Sequence, residues 1–107
     1  MFVLGHEAEV TPAEPGVTRK LMAHQGGLMM TEVTFEKDAV GNLHSHPHEQ
    51  ISYIAKGSFE FQLDGTITVI KQGDSVYIPS NAVHGVVALE DSIIVDIFTP
   101  QREDFKY

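Results

Sequence analysis

An all-β fold, a small barrel or sandwich of short strands, is predicted by three features of the sequence. Apolar and polar residues alternate with period two in several separate runs, the pattern of strands with one buried face. Turn-forming residues divide these runs at short intervals, at Gln25-Gly26-Gly27, Lys56-Gly57, Asp64-Gly65 and Lys71-Gln72-Gly73. No stretch carries a convincing amphipathic helix, and many short strands with regular turns indicate a closed or double-layered β architecture.

Residues 1–16 hold Pro12, Pro15 and Gly16 among acidic residues and read as an N-terminal lead-in of one strand plus loop. His6 in this lead-in is expected to be solvated. Val17 to His24 alternates weakly and is expected as a strand, with His24 at the surface beside the following turn. From Leu28 to Glu36 the odd positions Met29, Val33 and Phe35 are apolar, whereas Glu32 and Glu36 are even. Met30 departs from the pattern, so the even face is expected to be partly enclosed. Lys37 to Asn42 reads as a turn. Ile51, Tyr53 and Ala55 then continue as an odd-parity apolar strand, with Tyr53, like Tyr77, expected in the core or wall. Phe59, Phe61 and Leu63 alternate with Glu60, Gln62 and Asp64. Ile67 and Val69 form the return strand beyond a hairpin at Asp64-Gly65. Ser75 to Ile78, Val83 to Leu89 and Ser92 to Thr99 complete the set.

The 107 residues amount to one domain, 1–107, and a composition 42% hydrophobic suits a packed core. A chain this short gains from oligomerisation. Cysteine is absent, so a disulfide framework and a thiolate metal site are both excluded. Any metal must sit on histidine, glutamine or carboxylates. The net charge of −8 argues against nucleic acid as partner. It also repels anions at long range, so an anionic substrate needs a local cation. Only Arg19 and Arg102 are arginines, which makes each worth weighing. No cationic start, cleavage site or bilayer-spanning apolar run is seen, and a cytoplasmic protein is expected.

One stretch concentrates metal-ligating side chains: His44-Ser45-His46-Pro47-His48-Glu49-Gln50. On an extended strand i and i+2 line one side, so His44 and His46 are expected to present two imidazoles to one space. Pro47 interrupts this geometry, allowing His48 to turn aside while Gln50 stays with the pair. His48 is expected at the surface or behind the ligands, and Glu49, on opposite parity, in a structural role. A second stretch runs from Gly73 to Gly85. In it Asn81 suits the left-handed conformation of a tight turn, and His84 is a candidate distant ligand. Asp96 interrupts the branched aliphatic run Ile93-Ile94-Val95-Asp96-Ile97-Phe98. A carboxylate there is costly unless hydrogen-bonded, paired or functional. Phe98 shares its parity. Facing inward, Asp96 points at the metal cavity; otherwise it faces water or pairs with Arg102.

These two stretches resemble the paired motifs of the cupin superfamily. The first, within residues 38–57, reads H-x-H, three residues, a ligand, six residues, Gly, from His44 through Gln50 to Gly57. The second, within residues 73–88, reads G-x5-P-x4-H from Gly73 through Pro79 to His84. Asp38, Gln50, Asn81 and Ala88 depart from the general pattern. The resemblance implies the double-stranded β-helix, or jelly-roll barrel, and a metal site. The segment Asp96 to Asp104, together with the histidine stretch, is similar to a narrower group. This is the KdgF-type cupins of pectin and alginate breakdown, which open 4,5-unsaturated uronate rings to linear ketouronates. That resemblance implies one divalent metal on His44, His46, Gln50 and His84, with Asp96, Phe98 and Arg102 handling the substrate. It also implies a homodimer and a reaction of lyase or tautomerase type.

The chemistry of the side chains agrees with that assignment. The planar fork of Arg102 can take a carboxylate bidentately, Asp96 can move a proton, and Phe98 can shape an apolar wall. Ni, Zn, Fe, Mn, Co and Cu all suit such a donor set. Two other classes fit the metal motif alone: a metal-dependent dioxygenase, and a non-catalytic sugar-binding cupin. The Asp96–Asp104 segment favours the ring-opening enzyme over both.

Overall fold

The computed structural model describes residues 1–106 and consists of ten antiparallel strands followed by one short 3-10 turn. The strands are β1 (Val10–Glu14), β2 (Val17–Gln25), β3 (Leu28–Phe35), β4 (Val40–His44) and β5 (Glu49–Lys56). They continue as β6 (Ser58–Leu63), β7 (Thr66–Lys71), β8 (Ser75–Ile78), β9 (His84–Ala88) and β10 (Ser92–Thr99). Two sheets form, one of six strands in the order β1-β2-β3-β10-β5-β8 and one of four in the order β4-β9-β6-β7. The expected strand runs are present with several ends shifted. Val40 to Asn42, expected in a turn, belongs to β4, and Val83 and Leu89 fall outside β9.

The sheets face each other across a core that includes Val33, Phe35, Ile54, Phe59, Phe61, Ile70, Ile78 and Ile94. The Phe35 and Phe59 rings meet edge to face at 5.1 Å, joining the two layers with the geometry their quadrupoles favour. Parity follows the alternation of β3, where Met29, Thr31, Val33 and Phe35 are all buried. It fails in two strands. In β5 the buried residues are Gln50, Ser52 and Ile54, while Ile51 and Tyr53 are about half exposed. In β7 Ile70 is buried, whereas Ile67 and Val69 are exposed. Tyr77 is likewise exposed, so neither Tyr53 nor Tyr77 is a core residue. Apolar side chains on these outer faces imitate an inward stripe. Among the described residues, no helix is long and apolar enough to cross a membrane.

Two turns depend on backbone freedom. Asp64 and Gly65, at φ 47° and 84°, make the two-residue hairpin between β6 and β7 that the sequence predicts. Gly57 turns the chain from the large sheet to the small one at φ 79°, and a Cβ there would lie 2.0 Å from Ser92 Oγ. Gly65 also has positive φ, but nothing lies within 4 Å of its Cβ position. Gly65→Ala is therefore expected to cost about 1–2 kcal/mol, the left-handed penalty alone. Gly57→Ala adds a backbone displacement and should cost clearly more. Chemical denaturation of the two variants side by side checks the order, and equal losses would refute it.

Candidate metal centre and substrate cavity

Three histidines, from the end of β4, from the β4–β5 connection and from β9, converge at one end of the barrel. His44 closes β4 and His84 opens β9 as its register partner. His46 lies in the connection between β4 and β5. Their ligand atoms all lie within 4.8 Å of one another. Strand alternation is not what aligns His44 with His46, because β4 ends at His44. The connection is instead held by the turn after β8: the Asn81 N–H donates to the His46 carbonyl at 2.8 Å, and the Ser80 hydroxyl donates to the Pro47 carbonyl. Asn81 has φ 65°, a conformation asparagine tolerates better than most residues. His48 stays outside the cluster, half-buried, and contributes its backbone carbonyl to His46.

Each ring is oriented in the same way. Nδ1 of His44 lies 2.8 Å from the Asn42 carbonyl, that of His46 3.1 Å from the His48 carbonyl, and that of His84 2.9 Å from the Ala82 carbonyl. A carbonyl only accepts, so in neutral His44 and His84 the proton sits on Nδ1 and the lone pair on Nε2, whereas His46 faces an accepting oxygen at each nitrogen. Nε2 of His84 is buried without a hydrogen-bond partner among the described residues. Burial pushes the His84 pKa down to about 4, keeping the ring neutral near pH 7.

Gln50 completes the polar wall from β5. Its Nε2 donates to Ser52 Oγ at 2.9 Å, and Ser52 Oγ donates to Asp96 Oδ1 at 2.6 Å. An ionised carboxylate can only accept, which fixes the direction of both bonds and turns Gln50 Oε1 toward His46. Oε1 stands 2.9 Å from His46 Nε2. A neutral His46 has one proton for these two accepting oxygens, and with that proton on Nδ1 toward the His48 carbonyl, the lone pairs of Nε2 and Gln50 Oε1 face each other. A protonated His46 would relieve that, yet burial, followed by the charge of Arg102, holds its pKa below the ordinary histidine range. A cation between the lone pairs resolves the conflict. The residues therefore fit a metal ion, which His44, His46 and His84 can hold.

A cavity of about 270 Å³ opens beside these groups. Its character changes within one step along β10. Ile94 aligns with Val33 and Ile54, an apolar row; Asp96 aligns with Thr31 and Ser52, a polar one. Asp96 faces inward, as one of the two sequence readings has it, and its partner is Ser52 rather than Arg102. Burial raises its pKa to about 6, although Ser52 and Gln50 favour the ionised form. Thr31 Oγ1, on the strand facing Asp96, is buried without a partner among the described residues. Phe98 is buried against the His46 ring at 5.7 Å.

Arg102 lies beyond β10 with its side chain only 12% exposed, and it lines the cavity. Its Nε and Nη2 donate to the two carboxylate oxygens of Asp104 at 3.0 and 2.8 Å. Arg102 thus borders the cavity while one edge of its guanidinium is taken by a carboxylate of the chain itself. Ser52 and Asp104 went unassigned in the sequence. Ser52 shares the parity of Gln50, the one signal that could have found it. Asp104 is two residues from Arg102, too common a spacing to single out.

Two interlocked antiparallel sheets with a histidine cluster at one end define a cupin. Residues 31–98 match the cupin domain family, and the chain belongs to it. Within it the chain belongs with the KdgF proteins. It is 44% identical over 92 residues to the pectin degradation protein KdgF of Dickeya dadantii, covering 84% of each. The structure of KdgF from Halomonas sp. superposes with a TM-score of 0.94 at 41% identity, over 98% of this chain and 97% of that one. An RmlC-like cupin from Shewanella frigidimarina gives a TM-score of 0.94 at 36% identity, over 97% and 94%.

Two outcomes are expected from this geometry. Ser52→Ala releases the Gln50 amide and should weaken affinity for a divalent ion by about 10–100-fold. A chelator-competition titration measures it, and unchanged affinity would show that Gln50 needs no orientation. In metal-free protein, the raised pKa of Asp96 means that its ionisation opposes folding. The stability of wild type relative to Asp96→Asn is therefore greatest below pH 4. It should fall as pH rises through about 6, by about 3 kcal/mol in all. Denaturation curves across that range test the sign.

Proposed function

We propose that the protein opens the ring of 4,5-unsaturated monouronates derived from pectin, and by the same chemistry from alginate, giving linear 4-deoxy-5-ketouronates. The observation that carries this is a single cavity mouth holding three groups: a histidine cluster, an inward carboxylate whose pKa lies near 6, and a guanidinium. Membership of the KdgF group supports the substrate class. The metal set in this reading is His44, His46, His84 and Gln50, spread over the two motifs 38–57 and 73–88 of one domain, 1–107. A divalent ion bound there supplies Lewis-acid polarisation of substrate oxygens.

The remaining work falls to side chains of the chain itself. Asp96, whose proton affinity burial raises, is placed to carry the proton needed at the alkene carbon. Opening breaks the bond between the ring oxygen and the anomeric carbon. The anomeric hydroxyl gives up its proton as the aldehyde forms, and the enol oxygen becomes the ketone as the alkene carbon gains one. The net change is an isomerisation, with no oxidant and no net water. Phe98 bounds the sugar on its apolar side, and Arg102 offers positive charge to the carboxylate. Ile51, Tyr53 and Tyr77, neighbouring and exposed on β5 and β8, are the face we assign to a homodimer. The reading is of a cytoplasmic enzyme.

Loss of alkene ultraviolet absorbance from a freshly generated unsaturated monouronate tests the reaction against spontaneous opening. Metal-loaded protein should accelerate it, chelator should abolish the acceleration, and Asp96→Asn should lower kcat by about 10²–10⁴-fold. No acceleration, or oxygen uptake in its place, would reject ring opening.

A further inference from the structure

Arg19 projects from β2, beside Val33 of β3, and lines the same cavity as Asp96 and Arg102. The only two arginines of the chain thus meet at one cavity from distant parts of the sequence. Both guanidinium groups lie over the ring of Phe105, with the central carbon of Arg19 3.8 Å and that of Arg102 4.2 Å from its centroid. Such stacking fixes the plane of a guanidinium while leaving its edge donors free.

The two arginines differ in what they hold. Arg102 commits its Nε and Nη2 edge to Asp104. Arg19 is half-buried and has neither an ion-pair nor a hydrogen-bond partner among the described side chains. Burial, and then the charge of Arg102, hold its pKa down, with Asp104 and Asp96 opposing. A partly desolvated guanidinium with its donors unspent is a seat for an external acceptor. Within a protein of net charge −8, it is also the local cation that an anionic ligand requires.

We propose that Arg19 binds the carboxylate of the uronate through its open fork, with Arg102 adding the Nη1 side that Asp104 leaves free. Asp104 is then a positioning residue, which aims Arg102 and prevents that arginine alone from serving as the carboxylate clamp. Selection for an acid sugar over a neutral one follows from Arg19. The substrate class rests on the ring-opening reading; the anion seat itself does not.

The test compares wild type, Arg19→Gln and Arg19→Lys on two ligand pairs. For turnover, the pair is the unsaturated monouronate and its methyl ester. For binding, the pair is a saturated hexuronate and the corresponding neutral hexose, followed by calorimetry or ligand-observed NMR. Arg19→Gln should raise KM for the acid by about 10-fold or more, the loss of one charge-assisted contact, with a far smaller change in kcat and no change on the ester. Arg19→Lys keeps the charge without the fork and should fall between. Hexuronate binding should weaken in parallel while neutral hexose is unaffected. Equal losses on acid and ester, or hexuronate binding unchanged in both variants, would overturn the assignment. Should wild type open no ring yet bind hexuronate through Arg19, the ring-opening reading fails and the anion seat stands. Thermal unfolding of Arg19→Lys, whose stem preserves packing beside Phe105, separates a folding defect from lost binding.

Discussion

The directed run of hydrogen bonds from Ser52 to Asp96 and from Gln50 to Ser52 is the constraint on which the site depends. Its polarity is set at one end, where an ionised carboxylate has nothing to donate. Everything upstream then has one orientation: the serine proton, the glutamine amide, and the oxygen turned toward His46. A buried polar network of this kind is stable only when each member is satisfied. The last member, Gln50 Oε1 facing His46, would be satisfied by a cation. The inward carboxylate and the histidine cluster are therefore one connected object rather than two neighbours.

The position of β10 explains why such an object can exist in so small a protein. As a central strand, paired on both edges, it carries Asp96 between Thr31 and Ser52 and presents it to the cavity. Two residues earlier the same strand contributes Ile94 to the apolar core. The interior is thus divided along its length, with dispersion and burial at one end and polar chemistry at the other. The polar end carries a stability cost, because burial disfavours the ionised form of Asp96.

Much of this was legible in the chain. The histidine stretch, the distant His84 and the intrusion of Asp96 into an aliphatic run each stand out, because a costly or unusual residue type appears where the pattern asks for another. What could not be read was cross-strand register. Ser52 gains its meaning only from facing Asp96 across a strand pair, and Arg19 only from the folding of β2 beside the tail that brings Phe105. Parity misled in β5 and β7, since Ile51, Tyr53, Ile67 and Val69 place apolar side chains outside. Alternation reports that two faces differ and not which one is enclosed. His44 and His46 were brought together for another reason than expected. A turn on a different strand pins the connection between them, and no local pattern encodes such a contact.

The two sheets contribute unequally to the histidine cluster, and that has a mechanical consequence. His44 and His84 belong to the four-stranded sheet, Gln50 to the six-stranded one, and His46 to the connection that joins them. An ion gripped by all of them is a rivet through both layers. In a chain with no cysteine to cross-link, it would take the place a disulfide holds in other small domains, fastening the two layers at the histidine end of the barrel. Loss of such an ion would then be felt as a loosening between layers at the mouth of the cavity.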